Sequence, residues 1–296
     1  MPVQLGTNPI AWSNDDLRTL GGNTPLEVCL TEARAAGFTG IELGHKFPRD
    51  PAMLKPILDT RDLRLVSGWY STELLRRDVA MEIEAIHGHM TLLKALGCPV
   101  IILAETSNAI HGDQGMPLSR SPRLSAQEMS TLGARMTALA DYLTSQGLRV
   151  AYHHHMGTAV ETRDEIDAFM TATGPSVGLL LDTGHALFGG ANPLDLARAY
   201  MPRVTHIHCK DIRADVMARA RAEDMSFLDA VVAGVFTVPG DGCVDYPPVL
   251  REAASVGYDG WLVVEAEQDP DKANPAAYAT LGFDNLSKLA KDAGLL

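Results

Sequence analysis

Short apolar runs alternate with longer amphipathic stretches from one end of the chain to the other. Val3–Thr7 predicts a first strand. Thr24, Pro25 and Glu27 then have the order of a helix start: Thr24 as N-cap, Pro25 at the first helical position and Glu27 closing a capping box. Gly37 ends that helix. Gly40–Gly44 predicts strand two, followed by a helix over Pro51–Asp59. Leu63–Trp69 predicts strand three, Val79–Leu96 a long helix closed by Gly97, and Pro99–Ala104 strand four. A segment rich in Gly, Ser and Pro, Thr106–Leu124, is a long loop, and loops of that length in compact domains are usually functional. Ser125 and Glu128 form a second capping box, opening a helix that ends before Gly147. Leu148–Tyr152 predicts strand five and Glu161–Thr173 a helix. Val177–Leu181 predicts strand six, Pro193–Tyr200 a helix, and Val204–His208 strand seven. Arg213–Thr237 covers a further helix and loop. Trp261–Glu265 predicts strand eight, and Ala276–Ala293 a last helix.

Eight strand-then-helix units over 296 residues give roughly 37 residues each, the size of a βα unit. The alternation implies a parallel sheet, and eight units favour a closed (β/α)8 TIM barrel, α/β in class, spanning residues 1–296 without a domain boundary. An open doubly wound sheet is the rival, but no GxGxxG follows the first strand, which weakens its dinucleotide-binding form.

The hydrophobic fraction of 46% and charged fraction of 21% are ordinary for a globular enzyme. The formal net charge of −12 argues against a nucleic-acid partner, because phosphate backbones need a basic face. Cys29, Cys98, Cys209 and Cys243 form no CxxC pair or disulfide framework, so reduced thiols and a cytoplasmic location are expected. The N-terminus, Met1-Pro2-Val3-Gln4, lacks a basic region and a long apolar run, so no signal peptide is expected. No apolar run is long enough for a membrane-spanning helix.

Charge enters the picture at the strand ends. Strand two ends at Glu42 and strand four at Glu105. Strand five ends in an internal triplet, His153, His154 and His155. Strand six ends at Asp182 and His185, strand seven at His206, His208 and Lys210, and strand eight at Glu265 and Glu267. Chemistry in a (β/α)8 barrel sits at this rim. Buried charges are costly unless paired or metal-bound. Imidazole and carboxylate donors without a thiolate pair suit a divalent Mn, Co, Fe or Zn ion. Side chains alternate along a strand, so His206 shares a face with His208, Glu265 with Glu267, and His153 with His155.

The motifs Asp182-Thr-Gly-His185, His206-Ile-His208-Cys-Lys210-Asp211 and Val-Val-Glu265 resemble the xylose-isomerase-like barrel superfamily. Within it the chain resembles the inosose dehydratases of inositol catabolism. That likeness rests on Gly6–Asp16, Gly37–Gly44, Tyr152–Thr158 and Val264–Pro270, which run from the first strand to the last. The resemblance implies one metal ligand from each of strands five to eight: Glu, Asp, His and Glu. Asp182, His208 and Glu265 match, whereas His153 stands where relatives have Glu. A neutral imidazole there leaves the site one unit more positive, which favours an enolate-like intermediate and weakens a hard ion such as Mg²⁺.

The activity implied is a metal-dependent hydro-lyase reaction, loss of water from 2-keto-myo-inositol (scyllo-inosose) to 3D-3,5/4-trihydroxycyclohexane-1,2-dione. The partner implied is a small cyclic keto-polyol, with Mn or Co as metal and glutathione as a further requirement. Nucleic acid and membrane are not expected partners, and a homo-oligomer is left open. Lys210, His155, His185 and Glu42 are the acid and base candidates, with base and acid unassigned. Trp12, Trp69, His154, His206, Glu105 and Glu267 are candidate substrate contacts, although packing is an alternative for the tryptophans and for His206. Trp261 and Cys209 are read as packing residues. Asp182 could serve merely as an N-cap. Three rivals share parts of the pattern: an isomerase or epimerase using the same enediolate, a non-catalytic polyol-binding protein, and, disfavoured by the charge, a DNA endonuclease.

Overall fold

A computed structural model describes residues 3–296. The strands are β1 (Gln4–Thr7), β2 (Gly40–Leu43), β3 (Arg64–Thr72), β4 (Val100–Glu105), β5 (Arg149–His153), β6 (Val177–Asp182), β7 (Val204–Cys209), β8 (Asp211–Ile212), β9 (Phe236–Thr237) and β10 (Trp261–Val264). Eight of them close a barrel in the order β1-β10-β7-β6-β5-β4-β3-β2, with parallel pairing throughout. The expected (β/α)8 architecture is therefore present, and the open sheet is excluded. The reading of the N-terminus rested partly on Met1 and Pro2, which lie outside the described residues. No helix among the described residues is long and apolar enough to cross a membrane.

The helices are α1 (Leu26–Ala36), α2 (Pro51–Asp59), α3 (Val79–Ala95), α4 (Ala126–Ser145), α5 (Arg163–Ala172), α6 (Thr183–Phe188), α7 (Pro193–Tyr200), α8 (Ala214–Ala222), α9 (Phe227–Val232), α10 (Tyr246–Ser255) and α11 (Pro275–Asp292). Most start on a side-chain cap. Ser125 and Glu128 make the expected reciprocal capping box on α4. The box expected at Thr24 is absent: α1 starts one residue later, Pro25 occupies the cap position, and no side chain caps it. Pro25 keeps an extended ψ of 151° there, so it precedes the helix instead of opening it. Three further elements depart from expectation. The Arg213–Thr237 region holds two helices and one strand of an antiparallel ribbon, β8–β9. The α10 helix escaped notice because Pro247 and Pro248, tolerated in a first turn, also read as a loop. The short α6 follows directly on Asp182.

The barrel interior is stacked in layers. At the bottom Trp261 fills the lumen against Val66 and Val263. The glycine at position 40 is required there, because a Cβ would lie 2.4 Å from both Trp261 and Val66. Above this come Val100, Ile102, Ala151 and Leu180, with Trp69 packed on them. The next residues up on the same face of each strand are polar: Glu42, His153, Asp182, His206 and His208 are all buried. Register brings Asp182 opposite His208, and His208 opposite Val263, two residues before Glu265. Charged groups thus stand on an apolar floor, where solvent screening is weak and electrostatic interactions are strong.

Candidate metal centre and active site

His153, Asp182, His208 and Glu265 each offer one ligand atom, and these atoms all lie within 4.8 Å of one another. The four resemblance-derived ligands are therefore brought together. Hydrogen-bond bookkeeping then fixes which atoms are free. His153 Nδ1 lies 2.6 Å from the His154 carbonyl, which can only accept, so Nδ1 carries the proton and Nε2 keeps its lone pair. That Nε2 stands 3.6 Å from Asp182 Oδ2. His208 Nε2 donates to Glu42 Oε1 at 3.1 Å, which leaves the Nδ1 lone pair facing Asp182 Oδ2 at 3.4 Å and, closer still, Glu265 Oε2. Asp182 divides its work. Oδ1 caps α6 through the His185 N–H at 2.8 Å, and Oδ2 has no hydrogen-bond partner. The N-cap role is therefore present through Oδ1, and Oδ2 remains available as a metal donor.

Asp182 Oδ2, His208 Nδ1 and Glu265 Oε2 are all buried without a partner. Three lone pairs converging in a dry site repel one another unless a cation lies between them. The donor set therefore fits a divalent ion with nitrogen and oxygen preference. Burial disfavours imidazolium at His208, but Glu265 and Glu42 outweigh this and raise its pKa well above the ordinary value.

Glu42 is not free to act as a base. Its carboxylate accepts from Ser67 Oγ at 2.6 Å, Asn8 Nδ2 at 2.7 Å, His206 Nε2 at 2.8 Å and His208 Nε2 at 3.1 Å. Burial pushes its pKa up, but the charge of His208 and the bonds from both histidines hold it well below the carboxylate range. It fixes the orientation of the His208 ring through the bond from Nε2. His206 is buried beneath the cavity, on Glu42, and does not line it.

The open cavity is lined by Asn8, Asp15, Asp16, Glu42, Trp69, His153, His155, His208, Glu265 and Glu267, with Ile10, Leu43 and Ile102 as its apolar part. Of the expected substrate contacts, Trp69 and Glu267 are on that wall. Trp69 stands edge-on to His153 and His155, with centroids 5.4 Å from each. Trp12, His154 and Glu105 are not on it. Trp12 is 1% exposed and donates its indole N–H to Glu32 at 2.6 Å, on the outer side of the first βα loop. His154 points out of the lumen by strand alternation, and its Nε2 meets the Asp182 amide at 3.4 Å. Glu105 accepts from Leu74 N, Thr72 Oγ1 and Ser107 N at 2.8, 3.0 and 3.0 Å, tying two loops together.

Beside these four residues lies a second cluster, His155, His185 and Glu267. His155 donates Nδ1–H to the Met156 carbonyl at 2.8 Å, so its Nε2 lone pair is free on the cavity side. Burial, then His111, His153 and Lys210, hold its pKa well below the usual value. His185 is shut in behind it, its ring 3.9 Å from that of His155 and stacked on Phe227. It reaches Lys210 Nζ at 2.9 Å instead of the cavity. Lys210 is fully buried, 2.9 Å from Glu265 Oε1 and 3.5 Å from Glu267 Oε2. Burial lowers its pKa, but Glu265, Glu267 and Asp182 raise it above normal. Burial drives Glu267 up to about 8, against the pull of Lys210. The residues missed from sequence are Asn8, Asp15 and Asp16, on the loop after β1. All three lie within the Gly6–Asp16 motif that carries the family likeness, but loop residues have no strand period to assign a face.

Comparison with known proteins decides among barrels that could carry such a centre. A family model described as Xylose isomerase-like TIM barrel matches residues 30–289. The chain belongs to that family. The rhizopine catabolism protein MocC of Rhizobium meliloti is 50% identical over 294 residues, covering 99% of this chain and 90% of MocC. The inosose dehydratase of Geobacillus thermodenitrificans is 44% identical over 279 residues, covering 94% of each. Within the xylose isomerase-like barrels the chain therefore groups with inosose dehydratases and MocC. Among solved structures, the IOLI protein with a bound zinc atom superposes with a TM-score of 0.65 at 18% identity, covering 98% of each chain. An L-ribulose 3-epimerase superposes with a TM-score of 0.70 at 16% identity, covering 99% of this chain and 96% of the epimerase. At these identities the structural likeness shows the shared fold.

Proposed function

We propose that the protein is a metal-dependent hydro-lyase that removes water from 2-keto-myo-inositol to give 3D-3,5/4-trihydroxycyclohexane-1,2-dione. The observation that carries this reading is the 44% identity to an inosose dehydratase across nearly the whole of both chains. The four-ligand centre supports it chemically. His153 Nε2, Asp182 Oδ2, His208 Nδ1 and Glu265 Oε2 are the atoms suited to hold a divalent ion, and manganese or cobalt is the choice that the likeness to inosose dehydratases implies. A divalent ion there would supply Lewis acidity to the ketone oxygen.

The remaining steps belong to the chain's own side chains. A ketone α-proton must leave and a β-hydroxyl must depart as water, which calls for a base and an acid on the cavity wall. His155, with a free Nε2, and Glu267 are the proton-handling groups on that wall. Lys210, charged and held by three carboxylates, counters negative charge developing beside Glu265 and Glu267. His185 fixes Lys210, and Trp69 forms the apolar side of the ring site. Glu42 holds the His208 ring and takes no proton. A cytoplasmic enzyme with reduced thiols is the reading that the cysteine spacing supports.

The higher identity to MocC favours a second reading, that the natural substrate is a compound of rhizopine catabolism. One assay separates the readings. Purified protein loaded with Mn²⁺ or Co²⁺, with and without glutathione, is given 2-keto-myo-inositol, and formation of the dione is followed by absorbance. Dione formation supports the dehydratase. An isomeric keto-polyol in its place would make the protein an isomerase or epimerase, and no turnover with tight polyol binding would make it a binding protein.

A further inference from the structure

We infer that Asp16 and His111, from two different βα loops, form a paired acceptor and donor that grips one hydroxyl of the ring of a cyclic polyol. The inference deepens the proposed function and rests on its substrate class. Asp16 lies on the cavity wall. His111 packs its ring on His155 and Trp69, both wall residues, with centroids at 5.1 and 6.3 Å. Its Nε2 stands 3.9 Å from Asp16 Oδ1. That is too long for a hydrogen bond between them. It is the right span for a hydroxyl, however. An oxygen at about 2.8 Å from each atom would sit at the apex of a roughly right angle. A hydroxyl can donate to the carboxylate and accept from the imidazole N–H at once. The other ring nitrogen, His111 Nδ1, is buried with no hydrogen-bond partner, so the ring's bonding capacity is not spent inside the protein.

Both residues are held in place by the loops that carry them. Asn14 Oδ1 accepts from the Asp16 and Leu17 amides at 2.8 and 2.7 Å, fixing the turn. The following strand-to-helix connection binds it from outside. Lys46 Nζ donates to the carbonyls of Gly21, Gly22 and Thr24 at 2.9, 2.9 and 2.5 Å. On the other side, the Ile110 amide donates to the Gly157 carbonyl at 2.8 Å, next to His111. Gly157 has φ +75°, and a Cβ there would lie 2.9 Å from the His111 amide nitrogen. Preorganisation of this kind suits recognition of a rigid ring, since little ordering remains to be done on binding.

The test is calorimetric titration of the metal-loaded protein with myo-inositol, a cyclic polyol without the reactive ketone. Asp16→Ala and His111→Phe should each weaken binding about 10- to 100-fold, the range of a lost charge-assisted hydrogen bond. The double variant should lose less than the product of the two single losses, because both groups serve one hydroxyl. Asp16→Asn should recover part of the loss, and it carries the measurement if Asp16→Ala does not fold. Metal content should be unchanged in all of them. Unchanged affinity in either single variant, additive losses, or no binding of myo-inositol by the wild-type protein would overturn the pairing. Turnover of 2-keto-myo-inositol is measured separately. If it is absent while the variants still lose myo-inositol binding, the dehydratase reading fails and the pair stands. If it is present with KM unchanged in the variants, the reverse holds.

Discussion

Replacing Glu42 by Gln separates an orienting carboxylate from a catalytic base. Oε1 of Glu42 accepts from Ser67, His206 and His208, and Oε2 accepts from Asn8. A glutamine can offer one oxygen in place of two. With that oxygen at the Oε1 position, its NH₂ group faces the Asn8 amide, donor against donor. Asn8 cannot simply flip, because its Oδ1 accepts the Ile10 amide at 2.9 Å. The variant thus loses a charged acceptor behind His208 and gains one clashing pair. Loss of a carboxylate partner to a ligand histidine typically lowers metal affinity by about 10- to 100-fold, or about 1.4–2.8 kcal/mol. A chelator-competition titration with Mn²⁺ reads this directly. At saturating metal, turnover of 2-keto-myo-inositol should stay within about tenfold of wild type, whereas loss of a true general base costs about 10²–10⁴-fold. Wild-type metal affinity combined with a thousandfold loss of kcat at saturating metal would refute the reasoning and return Glu42 to the role of base.

Other consequences are as specific. Trp12→Phe removes the bond to Glu32 on the outside of the loop, so urea unfolding should show a loss of about 1 kcal/mol with KM unchanged; a tenfold rise in KM would put Trp12 back in the substrate site. Gly157→Ala forces a Cβ onto His111 at a left-handed backbone, costing about 2–3 kcal/mol in the same assay, and a change below about 0.5 kcal/mol would contradict the close approach. His89 is partly buried and its Nε2 donates to the Gly68 carbonyl at 3.2 Å. Burial lowers its pKa to about 4, while the unfolded ring keeps the ordinary 6.5. The unfolded state therefore binds the proton first as pH falls. This contribution to stability is complete above pH 6.5 and is lost between 6.5 and 4, roughly 2 kcal/mol after allowance for partial exposure. Unfolding measured across that range should fall less steeply in His89→Gln than in wild type; parallel curves would contradict it.

The barrel was legible because each strand is a short apolar run bounded by glycine, proline or a helix cap, and eight such units leave few other closures. The candidate ligands were legible through the family resemblance, and His153, His208 and Glu265 lie on the lumen face as period-two alternation requires. The same rule correctly paired His206 with His208, but it could not say that His206 lies one layer lower, under the ligands and bonded to Glu42. Nor could it show that the hydrogen bonds of Glu105 and Glu42 are already taken up by loop amides and neighbouring side chains. Such saturation is a tertiary fact: it depends on partners such as Asn8 and Ser67, 34 and 25 residues away in sequence. The loop residues Asp16 and His111 lay outside any period, and their meeting depends on loop closure. Trp12 was misplaced because an aromatic near a strand end has two sides available to it, and here Glu32 on α1 attracts the indole.

The central claim is that His153, Asp182, His208 and Glu265 form one metal centre on which turnover depends. The direct measurement is metal content and 2-keto-myo-inositol dehydration, followed together through chelator stripping and reloading with Mn²⁺ or Co²⁺. The wild-type protein should lose about one equivalent of metal and all turnover on stripping and regain both on reloading, while Asp182→Ala regains neither. Full turnover by the stripped protein, or reloading of Asp182→Ala to wild-type content, would contradict the account.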